Sequence, residues 1–170
     1  MAMIQAVSAA DETGAPGFEA LIGPHVDLAL RLAVTMLRDR AAAEDAVQDA
    51  AFNAWRALPR LQPGSNVRAW FLTIVANQCR SRLRSRWWGV LRTEVDRPSA
   101  DPADASTLRT DLSRALLTLE PLDRAAVYLH HYEDLSVDDV ARSLGISPAA
   151  ARSRIHRAIK TLRLELEVRS

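Results

Sequence analysis

Residues 136–160, SVDDVARSLGISPAAARSRIHRAIK, specify the local fold of the carboxyl-terminal part of this chain. Ser136 followed three residues later by Asp139 matches the capping box that begins a helix. Gly145 supplies a residue that tolerates the left-handed conformation in which helices end. Ser147 and Pro148 then restart the chain as N-cap and first helical residue. Two short helices joined by such a turn are typical of a helix-turn-helix, whose second helix enters the major groove of DNA.

The second helix of this motif has a basic outer face opposite an apolar stripe. Helical spacing places Ala151, Ile155 and Leu162 in the stripe, and no acidic residue occurs between Ser147 and Arg163. Arg152 lies near the helix start, where a bidentate contact with guanine is possible. The candidate DNA-binding residues are Ser147, Arg152, Ser153, His156, Arg157 and Lys160. The alternative interpretation is a helical hairpin whose basic face is only solvated.

The rest of the chain also has helical patterning, interrupted once. Proline, acidic and small residues dominate 96–104, which predicts a linker. In front of it we expect three helices: from about Phe18 to Arg38, from an Asp39 N-cap to Leu58, and from a Ser65 or Asn66 cap to about Arg86. Behind it we expect four. The sequence thus predicts an all-α protein of two small helical domains, with a flexible leader over 1–17, a first domain over 18–88, a linker over 89–106 and a helix-turn-helix domain over 107–170.

The third helix carries a second cationic surface. On a helical wheel its polar and basic residues fall opposite the apolar residues Phe71, Ile74 and Val75. This face consists of Thr73, Asn77, Arg80 and Arg84. Arginines that follow phosphates, with polar groups that hold unstacked bases, suit single-stranded nucleic acid. The alternative is an ordinary amphipathic helix with a soluble outer face.

The outer face of the second helix is acidic. Its outward positions are Glu44, Asp45, Gln48, Asp49, Asn53 and Arg56, around an alanine-rich buried side. Such a face either keeps the protein soluble or docks a protein partner.

Composition and motif content exclude several classes of protein. A single cysteine, Cys79, allows no intramolecular disulfide and no multi-cysteine zinc site. His25, His130 and His131 have no partners at metal-ligand spacing, and neither a catalytic triad nor a glycine-rich phosphate loop occurs. We therefore expect no metal, no cofactor and no enzymatic activity. The sequence also has no signal peptide and no uncharged apolar run long enough to span a membrane, so we expect a cytoplasmic protein without membrane insertion.

Three ordered segments resemble the extracytoplasmic-function group of bacterial RNA polymerase sigma factors. Ala43–Arg56, AEDAVQDAAFNAWR, and Val67–Asn77, VRAWFLTIVAN, are similar to the region-two signatures of this group. Leu119–Arg154 resembles region four. The resemblance covers nearly the whole chain, from about Phe18 to Leu166.

The resemblance implies partners and roles. The helix over 44–56 would bind the clamp of core RNA polymerase. The loop 62–66, with Asn66, and the face with Asn77 would capture the melted −10 element, and the helix over 147–162 would read the duplex −35 element of the promoter. An anti-sigma factor would hold the protein inactive. The alternative function is a free-standing helix-turn-helix regulator that binds duplex DNA without polymerase; an interaction-only helical protein is disfavoured by the two basic surfaces.

Overall fold

The computed structural model describes residues 17–92 and 111–167, and every regular element within these ranges is helical. The all-α fold class is therefore confirmed. The amino-terminal part contains α1 (Phe18–Ile22), α2 (Val26–Leu37), α3 (Arg40–Ala57) and α4 (Val67–Arg92). The carboxyl-terminal part contains α5 (Asp111–Thr118), α6 (Pro121–His131), α7 (Val137–Leu144) and α8 (Pro148–Glu167). The predicted leader, apart from Gly17, and most of the predicted linker lie outside the described residues.

Helix boundaries differ from the sequence prediction at two places. The first expected helix is broken into α1 and α2 by a 3-10 turn, Gly23–His25, because Pro24 has no backbone N–H to continue the α-helical hydrogen bonding. The third continues to Arg92, past the predicted end at Arg86 and into the segment predicted as a linker. The apolar pattern fades there, but no proline occurs between Val67 and Arg92 that would stop the helix.

The helix starts follow their predicted caps. The Asp39 carboxylate accepts the backbone N–H of Ala42 at 3.0 Å and begins α3. Asn66 rather than Ser65 begins α4, because its Oδ1 accepts the N–H of Ala69 at 3.0 Å. Each side chain satisfies a donor that has no partner within its own helix.

The helix-turn-helix forms as its sequence predicts. Ser136 Oγ accepts the N–H of Asp139 at 3.1 Å, and Ser147 Oγ accepts the N–H of Ala150 at 3.2 Å. Between them Gly145 has φ +62°, the left-handed conformation that ends α7. Ala141 is buried in this motif, where a small side chain allows close packing.

The two parts of the chain share one apolar core, so they pack as a compact pair. Leu32 of α2 and Phe71 of α4 belong to the same buried cluster as Leu129 of α6 and Leu144 of α7. Helix α4 packs against α7, and α2 packs against α6. The sequence left the relative placement of the domains open, whereas this structure has a closed arrangement.

Polar contacts reinforce the closed arrangement. The buried guanidinium of Arg124 donates from Nε to the Thr35 carbonyl at 2.5 Å and from Nη2 to the Met36 carbonyl at 3.1 Å. These carbonyls lie at the carboxyl end of α2, where the helix dipole favours a cation. Burial lowers the pKa of Arg124 to about 10. Nearby, Arg31 Nε lies 3.0 Å from Glu133 Oε1, an ion pair between α2 and the residues after α6.

Helices α1 and α2 form a long apolar segment. Phe18–Leu37 is long and apolar enough by composition to cross a membrane, with a mean hydropathy of 1.4 over its most apolar window. Charged residues, among them Asp27 and Arg31, interrupt it. Its buried side chains, including Leu32 and Met36, belong to the shared core. The segment is apolar because it contributes these side chains to that core.

Candidate nucleic-acid interface

Helix α8 presents its basic face to solvent. Ala151, Ile155 and Ala158 are buried against the rest of the domain. On the opposite side, five of the residues predicted to bind DNA are exposed: Arg152, Ser153, His156, Arg157 and Lys160. Ser147 is also exposed, although its hydroxyl already caps α8. The geometry therefore offers a basic helical surface, with no acidic residue in the sequence over 147–163, of the kind that enters a major groove.

A buried carboxylate, which the sequence analysis missed, holds two arginines of α8. Asp123 of α6 has a side chain only 3% exposed, and its Oδ1 accepts from Arg154 Nη1 at 2.7 Å. Its Oδ2 lies 3.2 Å from Nε of Arg157, whose side chain is 60% exposed. Arg157 is thus held at its Nε, while most of its side chain faces solvent.

The face of α4 is only partly open. We call the set Asn66, Thr73, Asn77, Arg80 and Arg84 the α4 strip. Asn66, Asn77 and Arg84 are exposed, whereas Thr73 and Arg80 are half-buried. A nucleotide in solution can therefore reach Asn66, Asn77 and Arg84. Thr73 and Arg80 are less accessible to it.

Helix α7 covers the middle of the α4 strip. Thr73 Oγ1 lies 2.5 Å from the carbonyl oxygen of Arg142, and the Arg80 guanidinium donates to the carbonyl oxygen of Leu144. A Cβ added at Gly145 would lie 3.1 Å from Thr73 Cγ2, so the backbones approach closely here. Burial, followed by the neighbouring positive charges of Arg154 and Arg84, lowers the pKa of Arg80. The strip therefore comes together as predicted, but not as a wholly free surface.

The outer face of α3 is open and contains more than the predicted polar residues. Glu44, Asp45, Gln48, Asp49 and Arg56 are exposed and Asn53 is half-buried. Beside them Phe52 is 55% exposed and Trp55 is 47% exposed, with ring centroids 6.1 Å apart. The Arg56 guanidinium lies 5.8 Å from the Phe52 ring centroid.

Phe52 and Trp55 were absent from the predicted site, although helical spacing separates both from the buried alanines at 46, 50 and 54. Two large exposed apolar rings in an acidic surround indicate a surface that another protein covers.

The Cys79 thiol and the His130 imidazole both contact other parts of the fold. Cys79 is fully buried in the shared core, and burial raises the pKa of its thiol to about 12, so the reactive thiolate is not formed near neutral pH. His130 Nδ1 lies 2.7 Å from the Leu135 carbonyl oxygen. Within 17–92 and 111–167, no group of three or more potential ligand residues is placed to hold a metal ion.

Two family profiles match this chain. The family profile described as Sigma-70 region 2 matches residues 21–89, and that described as Sigma-70, region 4 matches residues 109–162. The first match contains α3 and all five residues of the α4 strip, and the second contains the helix-turn-helix residues 136–160.

Individual relatives extend the likeness over most of the chain. RNA polymerase sigma factor CarQ of Myxococcus xanthus is 37% identical over 163 residues, which cover 89% of this chain and 92% of the relative. ECF RNA polymerase sigma factor SigE of Mycolicibacterium smegmatis is 34% identical, over 90% of this chain and 63% of the relative.

Two solved structures have a similar fold. The sigma factor RpoE of Bartonella quintana, in complex with the anti-sigma factor NepR, superposes with a TM-score of 0.72 and 28% identity, covering 89% of this chain and 97% of the other. CnrH, in complex with the cytosolic domain of CnrY, gives a TM-score of 0.68 and 25% identity, covering 90% and 89%.

Proposed function

This chain belongs to the sigma-70 family of RNA polymerase sigma factors, within its extracytoplasmic-function group, and on that premise we propose how its surfaces divide promoter-specific initiation. Sigma factors of this family join core RNA polymerase and direct it to promoters. The observation that carries the proposal is that one chain has three chemically different faces: an exposed acidic and aromatic face on α3, a partly exposed polar and cationic face on α4, and an exposed basic face on α8.

The domains divide the promoter between them. Residues 18–88 form the region-two domain, which binds polymerase and the −10 element, and residues 107–170 form the region-four domain, which binds the −35 element. Residues 89–106 connect them, with the end of α4 extending into this connection. The family matches over 21–89 and 109–162 support these limits.

Helix α8 reads the duplex −35 element. Arg152 and Ser153 lie in its first turns and contact base edges or adjacent phosphates, because the amino-terminal part of a recognition helix is the part that reaches the bases. His156, Arg157 and Lys160 lie further along and contact the backbone, with Ser147 at the helix entrance. The exposure of these side chains supports the assignment.

The α4 strip holds the melted −10 element. Asn77 and Asn66 offer amide groups to the edge of an unstacked base, and Arg80 and Arg84 neutralise phosphates. Thr73 lies between these groups on the same face. The exposed amides and the exposed Arg84 support this role, and the α7 contact limits it in the closed arrangement.

The α3 face docks on core polymerase. Its polar members are Glu44, Asp45, Gln48, Asp49, Asn53 and Arg56, to which we add Phe52 and Trp55. Aromatic residues are enriched in the buried centre of protein interfaces, and the surrounding charges fix orientation.

A binding factor with these surfaces needs no catalytic group or cofactor of its own, because polymerase performs the chemistry. We place its action in the cytoplasm, with core polymerase. The RpoE–NepR complex and the CnrH–CnrY complex support a regulatory partner of the anti-sigma class for this chain.

Transcription with purified core RNA polymerase tests the proposal. We expect the chain to co-elute with core and to produce discrete transcripts from a genomic fragment library, absent without the chain. Trp55→Ala should reduce co-elution by about tenfold, since truncation of a central interface aromatic costs more than 1 kcal/mol. Binding to duplex promoters without any association with core would instead support the free-standing regulator.

A further inference from the structure

A cleft between α3 and α4 lies beside the α3 face. It has a volume of about 430 Å³, and its lining is part apolar and part polar. Leu37 and Ala42 supply apolar surface, whereas Gln78 and Ser81 of α4 supply an amide and a hydroxyl group. Asp49, a member of the α3 face, also lines the cleft. The proposed polymerase-docking surface is therefore continuous with this cleft.

Arg82 of α4 also lines the cleft and pairs with Asp49 across it. Arg82 Nη2 donates to Asp49 Oδ2 at 2.5 Å. The side chain of Arg82 is 30% exposed and that of Asp49 is 57% exposed. Within residues 17–92 and 111–167, the Asp49 carboxylate has no second ion pair or side-chain hydrogen bond. Its Oδ1 is therefore available to a partner.

Stability does not explain the guanidinium of Arg82. Its Nε is buried and has no hydrogen-bond partner within the part of the chain that the structure describes. A buried donor without a partner costs more free energy than an ion pair with an exposed carboxylate returns. An uncharged side chain of similar length would fill the same space without that cost. What the guanidinium does provide is a fixed position for the carboxylate of Asp49.

Asp123 shows, in the same chain, that one carboxylate can hold two guanidinium groups. Its Oδ1 accepts from Arg154 Nη1 at 2.7 Å, and its Oδ2 lies 3.2 Å from Arg157 Nε. Asp49 has the first of two such partners. The cleft beside it has apolar surface for the stem of a second long basic side chain, whose charged end can then reach the free oxygen.

Resting on the function proposed above, we propose that Asp49 receives a basic side chain of core RNA polymerase in the α3–α4 cleft, and that Arg82 is the positioning residue that fixes the Asp49 carboxylate for it. The docking surface therefore includes α4 as well as α3. Docking removes water from the cleft, so the new pair is stronger than the exposed pair between Arg82 and Asp49.

Arg82→Met tests the positioning role, because methionine keeps an unbranched stem and removes both the charge and the buried Nε. We expect the affinity for purified core polymerase to fall by about three- to fivefold, the range of an exposed ion pair. Loss of a positive charge would by itself strengthen binding to a basic partner, so a fall is not a general charge effect. The midpoint of urea unfolding should stay the same or rise. A lowered midpoint together with weaker core binding would assign Arg82 a structural role and overturn the inference.

A matched control and a double variant complete this test. Arg142→Met removes the same charge from another arginine–aspartate pair, with Asp139 on α7, and should leave the affinity for core within about twofold. Asp49→Asn should weaken core binding more than Arg82→Met does. Adding Arg82→Met to Asp49→Asn should cost nothing further, because Arg82 acts only through Asp49. Additive losses would contradict the positioning role.

Thiol labelling tests whether polymerase occupies the cleft. Ser81→Cys places a thiol in the cleft, Ala20→Cys places an exposed thiol on α1 as the control, and buried Cys79 should not react. Mass spectrometry follows the labelling of each variant alone and with saturating core polymerase. We expect core to slow labelling at position 81 by about tenfold or more, and at position 20 by less than about twofold.

The outcomes separate this inference from the function on which it rests. Equal labelling of Ser81→Cys with and without core, in a variant that co-elutes with core, would overturn the inference and leave the sigma assignment intact. Failure of the unaltered chain to join core would contradict the proposed function itself.

Discussion

Arg152 and Lys160 both project to solvent from α8, but their positions along the helix predict different effects on DNA binding. Arg152→Ala should cost about 1–3 kcal/mol on the preferred promoter and relax the sequence preference at one position. Lys160→Ala should weaken binding to all sequences alike and reduce the salt dependence by about one counterion. Titration of holoenzyme on matched and altered promoters at several salt concentrations separates the two. Equal sequence preference after Arg152→Ala would refute its base-reading role.

Gly145 and Gly23 give opposite expectations for the same substitution. Gly145 has φ +62° and a close neighbour in Thr73, so Gly145→Ala should destabilise the chain by about 1–2 kcal/mol. Gly23 has φ −47° with open space around it, so Gly23→Ala should be neutral or stabilising by up to about 1 kcal/mol. Urea unfolding monitored by circular dichroism measures both, and an unaffected Gly145→Ala variant would contradict the close approach of α4 and α7.

The roles of residues that contact only their neighbours in sequence could be predicted from the sequence. Asp39, Ser136 and Gly145 act within a few positions of themselves, so their caps and turn could be inferred without a tertiary structure. Arg124 and Asp123 were not, because their partners lie far away in sequence and on other helices. The spacing of apolar residues along one helix does not indicate polar contacts with another helix.

At the scale of helices, the sequence predicted that the elements are helical and in which order they occur. It predicted the residues at which the helices begin and end less well. The apolar stripe predicted one helix where Pro24 separates α1 from α2, and it gave no sign that α4 continues to Arg92. The exposed faces could be predicted, because they lie opposite the apolar faces. The contact of α7 with Thr73 and Arg80 could not be predicted, because α7 lies far away in the sequence.

The link between α6 and α8 is a prediction at this scale. Asp123→Asn removes a charge that pairs with Arg154 and Arg157, and should lower the free energy of unfolding by about 1–2 kcal/mol. Loss of a negative charge near DNA would by itself strengthen binding. Because Asp123 orients Arg157, we instead expect promoter affinity to fall by about threefold or more.

Asp138→Asn is the matched control for this experiment, since it neutralises an exposed acid on α7. It should leave the unfolding free energy nearly unchanged and strengthen DNA binding slightly. If Asp123→Asn strengthened binding to the same extent, Asp123 would have no role in orienting α8.

For the whole molecule, size limits what the closed arrangement can do. A compact chain of 170 residues has a radius of gyration of about 15 Å. Two promoter elements about two helical turns apart are separated by about 70 Å. One closed molecule cannot reach both, so simultaneous engagement of α8 and the α4 strip requires the shared core between α2, α4, α6 and α7 to part.

The central claim is that two DNA-reading parts of one chain engage the same promoter at once, and a distance measurement tests it most directly. Spin labels at Ala41→Cys and Asp138→Cys occupy exposed sites on the two parts, and buried Cys79 should not react. Pulsed electron resonance should give a separation below about 40 Å in the free chain and an increase of more than about 20 Å in the polymerase–promoter complex. An unchanged separation in a complex that initiates transcription would contradict the account.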